Sequence, residues 1–210
     1  MSEIPMDRPV LGDDEAAALT GLAARVRELA EATVLTAAGA AEAAAVADEI
    51  AALTARLSAE RRDAPPFATP GETRMDRQIA NPVAGALNPL APPIVLEADS
   101  DGIVRGTFTL GAVYEGPPSY VHGGVSAMVL DQALGMAAAA SGNPGMTATL
   151  ETRYRRPTPL GVPLQVEAKA SRVEGRKVYA SGTISAPDGR VTVEATAMFI
   201  MPQRFVTSQY

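Results

Sequence analysis

His122, Gly123 and Gly124 stand immediately before a run of valine, alanine, methionine and leucine, and Asp131 interrupts that run eight residues after Gly123. The run reads as a helix, so the glycines fall at its N-terminus. There the first N–H groups lack partners and carry a partial positive charge. Glycine lets another group approach such a backbone closely. A turn of this kind holds an anion, or a carbonyl oxygen that becomes anionic during a reaction. Asp131 lies among Met128, Val129, Leu130 and Leu134, where an unpaired carboxylate is costly, so a site or an interface is the reason to keep it. Helix rise sets Asp131 about 12 Å along the axis from Gly123. One helix cannot easily bring that carboxylate to its own N-terminus, whereas an antiparallel helix from a second copy can. The spacing therefore predicts a site shared across a two-fold axis. The structural alternatives are a capping histidine and a tight glycine turn.

Other chemistry is restricted by what the chain lacks. His122 is the single histidine and there is no cysteine among the 210 residues. Disulfides, thiolate nucleophiles and cysteine metal sites are excluded, and no metal site and no cofactor are expected. No G-x-S-x-G nucleophile elbow occurs, so a serine triad has little support. The formal net charge of -6 argues against a nucleic-acid partner, which calls for a basic face. The opening MSEIPMDRPV has no apolar core of a secretion signal. The longest apolar run contains Asp131 and Gln132 and is mostly alanine, so no membrane span is expected. These features describe a soluble, cytoplasmic protein.

The elements that must position these residues follow from periodicity. Residues 1–62 read as an alanine-rich helical extension: Leu19, Leu22, Val26, Leu29 and Thr33, then Val46, Ile50, Leu53 and Leu57 after a break near Gly39, recur at steps of three and four. This predicts a helical hairpin with a narrow apolar stripe and a structural role. Residues 63–93 hold seven prolines, Pro65, Pro66, Pro70, Pro82, Pro89, Pro92 and Pro93, and read as a connector. Residues 94–202 read as the main domain, and 203–210 as a tail. In the main domain, strands are expected at Ile94–Ala98 and Ile103–Leu110 around Asp99-Ser100-Asp101-Gly102, then at Thr147–Arg156. Period-two runs follow from Leu164, from Val178 and from Val191. The order is β-β-helix-β-β-β-β: an α+β fold in which one antiparallel sheet curls round one apolar helix, leaving an edge and a face for a second subunit.

Several motifs at matching spacing make the chain identifiable. Tyr114-Glu115-Gly116-Pro117-Pro118, His122-Gly123-Gly124, Asp131, Gly145-Met146-Thr147-Ala148, Tyr154-Arg155-Arg156-Pro157, Val173-Glu174-Gly175-Arg176-Lys177 and Glu194-Ala195-Thr196 together resemble the hotdog-fold acyl-CoA thioesterases of the phenylacetic-acid-degradation type. Within them they look closest to the branch with animal mitochondrial long-chain acyl-CoA thioesterases. The resemblance covers Asn88 to Met201; the helical extension lies outside it. It implies a hotdog fold, a curved antiparallel sheet round one long helix, in homodimers or dimers of dimers with active sites at the dimer interface. It further implies that the Gly123 N–H polarises the thioester carbonyl, that His122 and Gly124 shape the turn, and that Asp131 of the other subunit is general base or nucleophile. Thr147 would help to hold the attacking water.

Two features depart from that pattern. Other branches carry asparagine or glutamine six residues before the histidine, where this chain has Gly116, and Ser119 or Glu115 is expected to take over any polar contact. Strand alternation also groups Thr147 with Thr149, Glu151, Arg153 and Arg155, away from Ala148, Leu150 and Tyr154. Thr147 therefore faces an interface unless a bulge intervenes. The expected substrate is a medium- or long-chain acyl-CoA of fatty acid metabolism. Gly124 and Ser119 line its site, with Arg155, Arg156, Arg176 and Lys177 as the nearest basic groups for its phosphates. The rival readings are a hotdog dehydratase and a non-catalytic acyl-CoA sensor.

Overall fold

A computed structural model describes residues 8–67 and 78–203. The chain forms two compact units, Met1–Asn81 with Gly85–Pro89, and Pro82–Ala84 with Leu90–Tyr210.

The first unit holds two helices, α1 (Asp13–Leu35) and α2 (Ala40–Ser58). Asp13, Asp14 and Glu15 occupy the first turn of α1, where carboxylates favour the N-terminal end of the helix dipole. Glu15 pairs with Arg62, and Val10 bridges Phe67 in parallel, so the start of α1 and the chain beyond α2 are tied together. The two expected helices form on either side of the break near Gly39, but α1 and α2 do not pack along their lengths. α1 buries Ala23 and sends Arg27 to the carbonyl of Asn88 at 3.0 Å, leaving Leu22, Val26 and Leu29 37–38% exposed. Alanine side chains give little area to bury, so segment 85–89 and the arginine stem define the inner face of α1. Pro70, within the expected connector, lies outside the described residues, as does the tail after Gln203.

The second unit is the hotdog. Its strands are β1 (Glu97–Ala98), β2 (Ile103–Phe108), β3 (Met146–Tyr154), β4 (Leu164–Glu174), β5 (Lys177–Ser185) and β6 (Val191–Ile200), with α3 (Gly123–Ala140) between β2 and β3. They form one antiparallel sheet in the order β1-β2-β4-β5-β6-β3. The first strand is shorter than Ile94–Ala98: Ile94 and Leu96 are buried without joining the ladder. The β1–β2 turn is built as its residues dictate. Gly102 takes φ 72°, and the Asp99 carboxylate accepts the N–H groups of Asp101 and Ile103, each at 2.9 Å.

Alternation in β4, β5 and β6 turns Leu164, Val166, Val178, Ile184, Val193 and Phe199 onto α3, all within 2% of full burial. α3 answers with Ser126, Val129, Leu130, Ala133, Leu134, Ala137 and Ala138. These positions recur at three and four and form one face. By length and composition α3 would just suffice to cross a membrane, but that face is the centre of this core. Its other side, with Met128, Asp131, Gln132 and Met136, is only half-buried. β3 lies at the sheet edge, with every residue exposed or half-exposed.

Candidate active site

The turn before α3 is assembled from loop residues that have few alternatives. Val121 donates its N–H to the carbonyl of Thr158, and His122 donates its N–H to that of Tyr114, both at 2.9 Å. Gly116 runs beside His122, where a Cβ would meet the histidine Cα at 2.7 Å. Hence no asparagine or glutamine fits at 116 without moving the backbone that carries His122. The Glu115 carboxylate accepts the N–H of Ser119 at 2.6 Å and so stabilises Ser119 at φ 69°, an unusual conformation for a residue with a side chain. The Glu115 side chain, one of the two expected substitutes for a polar group at 116, therefore serves the loop itself, while Ser119 takes part through its backbone N–H.

His122 is the N-cap of α3, and its Nδ1 accepts the N–H of Gly124 at 3.0 Å. The structural reading of this histidine is thus realised, with a consequence for the site. An acceptor Nδ1 carries no proton, so this nitrogen is occupied by the cap. The bond also selects which donor it satisfies. The N–H of Gly123, at the first helical position, makes no hydrogen bond among the described residues. It is the donor left over at the positive end of α3.

Tyr154, which strand alternation groups with Ala148 and Leu150 and which opens the Tyr154-Arg155-Arg156-Pro157 motif, completes this end. Its hydroxyl donates to the carbonyl of Gly123 at 3.0 Å, and its ring lies 3.2 Å from where a Gly123 Cβ would stand. A side chain here would crowd the ring by only a few tenths of an ångström, and the tyrosine pins the first turn from the sheet side.

Two turns further along α3, Thr147 donates its hydroxyl to Asp131 Oδ1 at 2.9 Å. The contact depends on an irregularity. Thr147 pairs with Phe199 and Thr149 with Met198, with the register shifting between them. Ala148 is the extra residue of a bulge. Below the bulge Leu150, Thr152 and Tyr154 sit opposite Ala197, Ala195 and Val193, the helix-facing set of β6. The bulge brings Thr147 onto that same face, which strict alternation would have denied it. β3 thus runs back along α3, with Tyr154 at Gly123 and Thr147 at Asp131.

The basic residues do not converge. Arg155 is bound to Glu194, a pairing that draws the Glu194 carboxyl below the usual carboxylate range. Arg156 donates to the carbonyl of Val191 at 3.1 Å and Arg176 to that of Met201 at 3.1 Å. Lys177 lies level with Ile200 and Met146, at the Thr147 end of the sheet, while Arg155 and Arg156 follow its Tyr154 end. Two shallow hollows of about 400 and 640 Å³ lie elsewhere: one on the sheet face turned away from α3, around Glu167, Lys169 and Glu194, the other along β1 and β2. Neither includes Asp131, Thr147 or Gly123.

One helix inside a curled antiparallel sheet, with a histidine-glycine turn at its start and a carboxylate at its middle, defines a class of protein. Residues 119–193 match the thioesterase superfamily. A solved structure described as a thioesterase superfamily protein is 42% identical, with a TM-score of 0.76, over 87% of this chain and 94% of that one. The chain belongs to the thioesterase superfamily. Since the uncovered remainder is shorter than α1 and α2 together, part of the helical arm is also shared with that structure. Among curated relatives, acyl-coenzyme A thioesterase THEM4 of Xenopus laevis is 40% identical over 94 residues, 44% of this chain and 42% of the relative. THEM4 of Mus musculus is 38% identical over 94 residues, 44% of this chain and 40% of the relative. In each case the match spans less than half the length of the relative.

Proposed function

We propose that the protein hydrolyses acyl-coenzyme A thioesters, with a medium- or long-chain acyl group, at a site completed by two copies of the chain. The observation that carries this reading is the Asp131–Thr147 hydrogen bond at 2.9 Å, on the half-buried side of a helix whose first N–H is uncommitted. Thr147 engages Oδ1 and leaves Oδ2 for a water molecule. In the reaction as we read it, Asp131 takes a proton from that water as its oxygen adds to the thioester carbonyl. The Gly123 N–H of the other copy stabilises the oxyanion. Collapse breaks the carbon–sulfur bond, and the coenzyme A thiolate leaves and is protonated. Attack by Asp131 itself, through an acyl-enzyme anhydride, uses the same residues.

The two-copy arrangement is supported by the helix rise of about 12 Å between Gly123 and Asp131 and by the exposed edge strand β3, whose free backbone groups call for a pairing strand. Relatives named acyl-coenzyme A thioesterases support the substrate class. The test is Asp131→Asn assayed by release of free coenzyme A thiol over a range of saturated acyl chain lengths. We expect at least a hundredfold loss at every length, with folding and acyl-CoA binding retained. Near-normal turnover in the variant would remove Asp131 from the reaction. Tight binding without thiol release by the wild type would make the protein a sensor.

A further inference from the structure

α2 carries Val46, Ile50, Leu53 and Leu57 at alternating steps of four and three, the a/d spacing of a helix that pairs with another. Yet no residue of α2 is buried, and Val46, Leu53 and Leu57 are 37%, 51% and 57% exposed. α1 does not pack along it. An isolated 19-residue helix is only marginally stable in water without a packed face, so this stripe calls for an occupant.

The charges beside the stripe identify it. With Val46 and Leu53 at d, and Ile50 and Leu57 at a, Glu49 and Arg56 are successive g positions on one flank, while Ala47 and Thr54 are e positions on the other. Set a second α2 antiparallel, so that Val46 layers on Leu57 of the other copy and Ile50 on Leu53. Glu49 of each copy then faces Arg56 of the other, forming two reciprocal ion pairs. The opposite flank presents only Ala47 and Thr54, small enough to let the backbones come close. Parallel pairing would set Glu49 against Thr54 and form neither ion pair. Among the described residues, neither Glu49 nor Arg56 makes an ion pair or side-chain hydrogen bond within the chain.

We infer that α2 is a homotypic interface: it pairs antiparallel with α2 of a second copy through Val46, Ile50, Leu53 and Leu57 and a reciprocal Glu49–Arg56 pair. This contact is separate from the site on α3 and stands whether or not the protein is a thioesterase. The experiment is sedimentation equilibrium of the whole chain at low salt, with helicity and Tm measured alongside. Glu49→Arg and Arg56→Glu each turn both ion pairs into repulsions and should each weaken self-association by roughly tenfold. An equimolar mixture of the two should recover association to within about threefold of wild type, because every cross-contact in a mixed pair is again between opposite charges. Val46→Glu combined with Leu53→Glu should remove this association step. The inference is overturned if the charge variants associate like wild type, or if mixing them restores nothing. It is also overturned if the double glutamate variant lowers Tm with association unchanged, which assigns the stripe to α1 of the same chain. Binding of wild type but not that variant to anionic phospholipid vesicles, with association unchanged, assigns it to a lipid surface instead.

Discussion

Asp131 and Thr147 are sixteen residues apart in sequence and joined by one hydrogen bond at 2.9 Å, so each can be tested through the other. Thr147→Val keeps the shape and deletes the donor. We expect kcat to fall about tenfold, the worth of one positioning hydrogen bond, with KM nearly unchanged. Thr147→Ser should recover most of the loss. A fall in both variants alike would mean that the methyl group, not the hydroxyl, is what matters. Gly116 tests the other end. Gly116→Asn restores the residue type of related branches but places a Cβ 2.7 Å from the Cα of His122. The turn must shift, and we expect about 1–3 kcal/mol of destabilisation by urea unfolding, together with loss of activity through the displaced α3 N-terminus. A fully stable, active variant would show that the turn yields more easily than its geometry implies.

At the scale of elements, the β1–β2 turn depends on a carboxylate. Hydrogen bonding from the N–H of Ile103, with further help from Asp101 and Arg105, holds Asp99 below its ordinary value of 3.8. A carboxyl depressed in the folded state adds stability above its unfolded value and loses it as the pH falls through the folded one. Asp99→Asn should therefore lower Tm at neutral pH, and the gap to wild type should narrow on acidification toward and below the ordinary value. A gap that is constant with pH would assign the effect to the turn conformation rather than to charge. β3 shows a different dependence. Its bulge at Ala148 decides which of two threonines meets Asp131, and a one-residue change in register would present Thr149 instead.

For the whole molecule, the proposed two-copy site predicts rescue between two inactive variants. One is Asp131→Asn. The other is Gly123→Pro, which deletes the uncommitted N–H at the first helical position, where proline is tolerated. His122 precedes it with ψ 134°, the extended conformation favoured before proline. The Tyr154 ring, 3.2 Å from the new Cβ position, need only yield slightly. In randomly mixed dimers about half are hybrids, each with one intact site of two, so co-refolding should return about a quarter of wild-type activity. Hybrids that form but remain inactive would place Asp131 and Gly123 of one chain in the same site.

Much of this was legible before folding, because it rests on local rules. The order β-β-helix-β-β-β-β, the turn at Gly102 and the inward sets of β4, β5 and β6 follow from period-two patterning and turn chemistry. A functional role for Asp131 follows from the cost of a carboxylate on an apolar helix, and its pairing with the Gly123 turn of a second copy belongs to the proposed function. What the chain could not disclose required neighbours distant in sequence. Alternation alone turned Thr147 away from Asp131, and only the register against Phe199 and Met198 shows the bulge that turns it back. Tyr154 reads as one more strand residue until the sheet brings its hydroxyl to the Gly123 carbonyl. Arg155 and Lys177 look like one basic group in sequence and lie at opposite ends of the sheet. The two arm helices carry stripes that promise a hairpin, yet they do not pack on each other. Periodicity states that a face is apolar; only the tertiary arrangement decides what, if anything, lies against it.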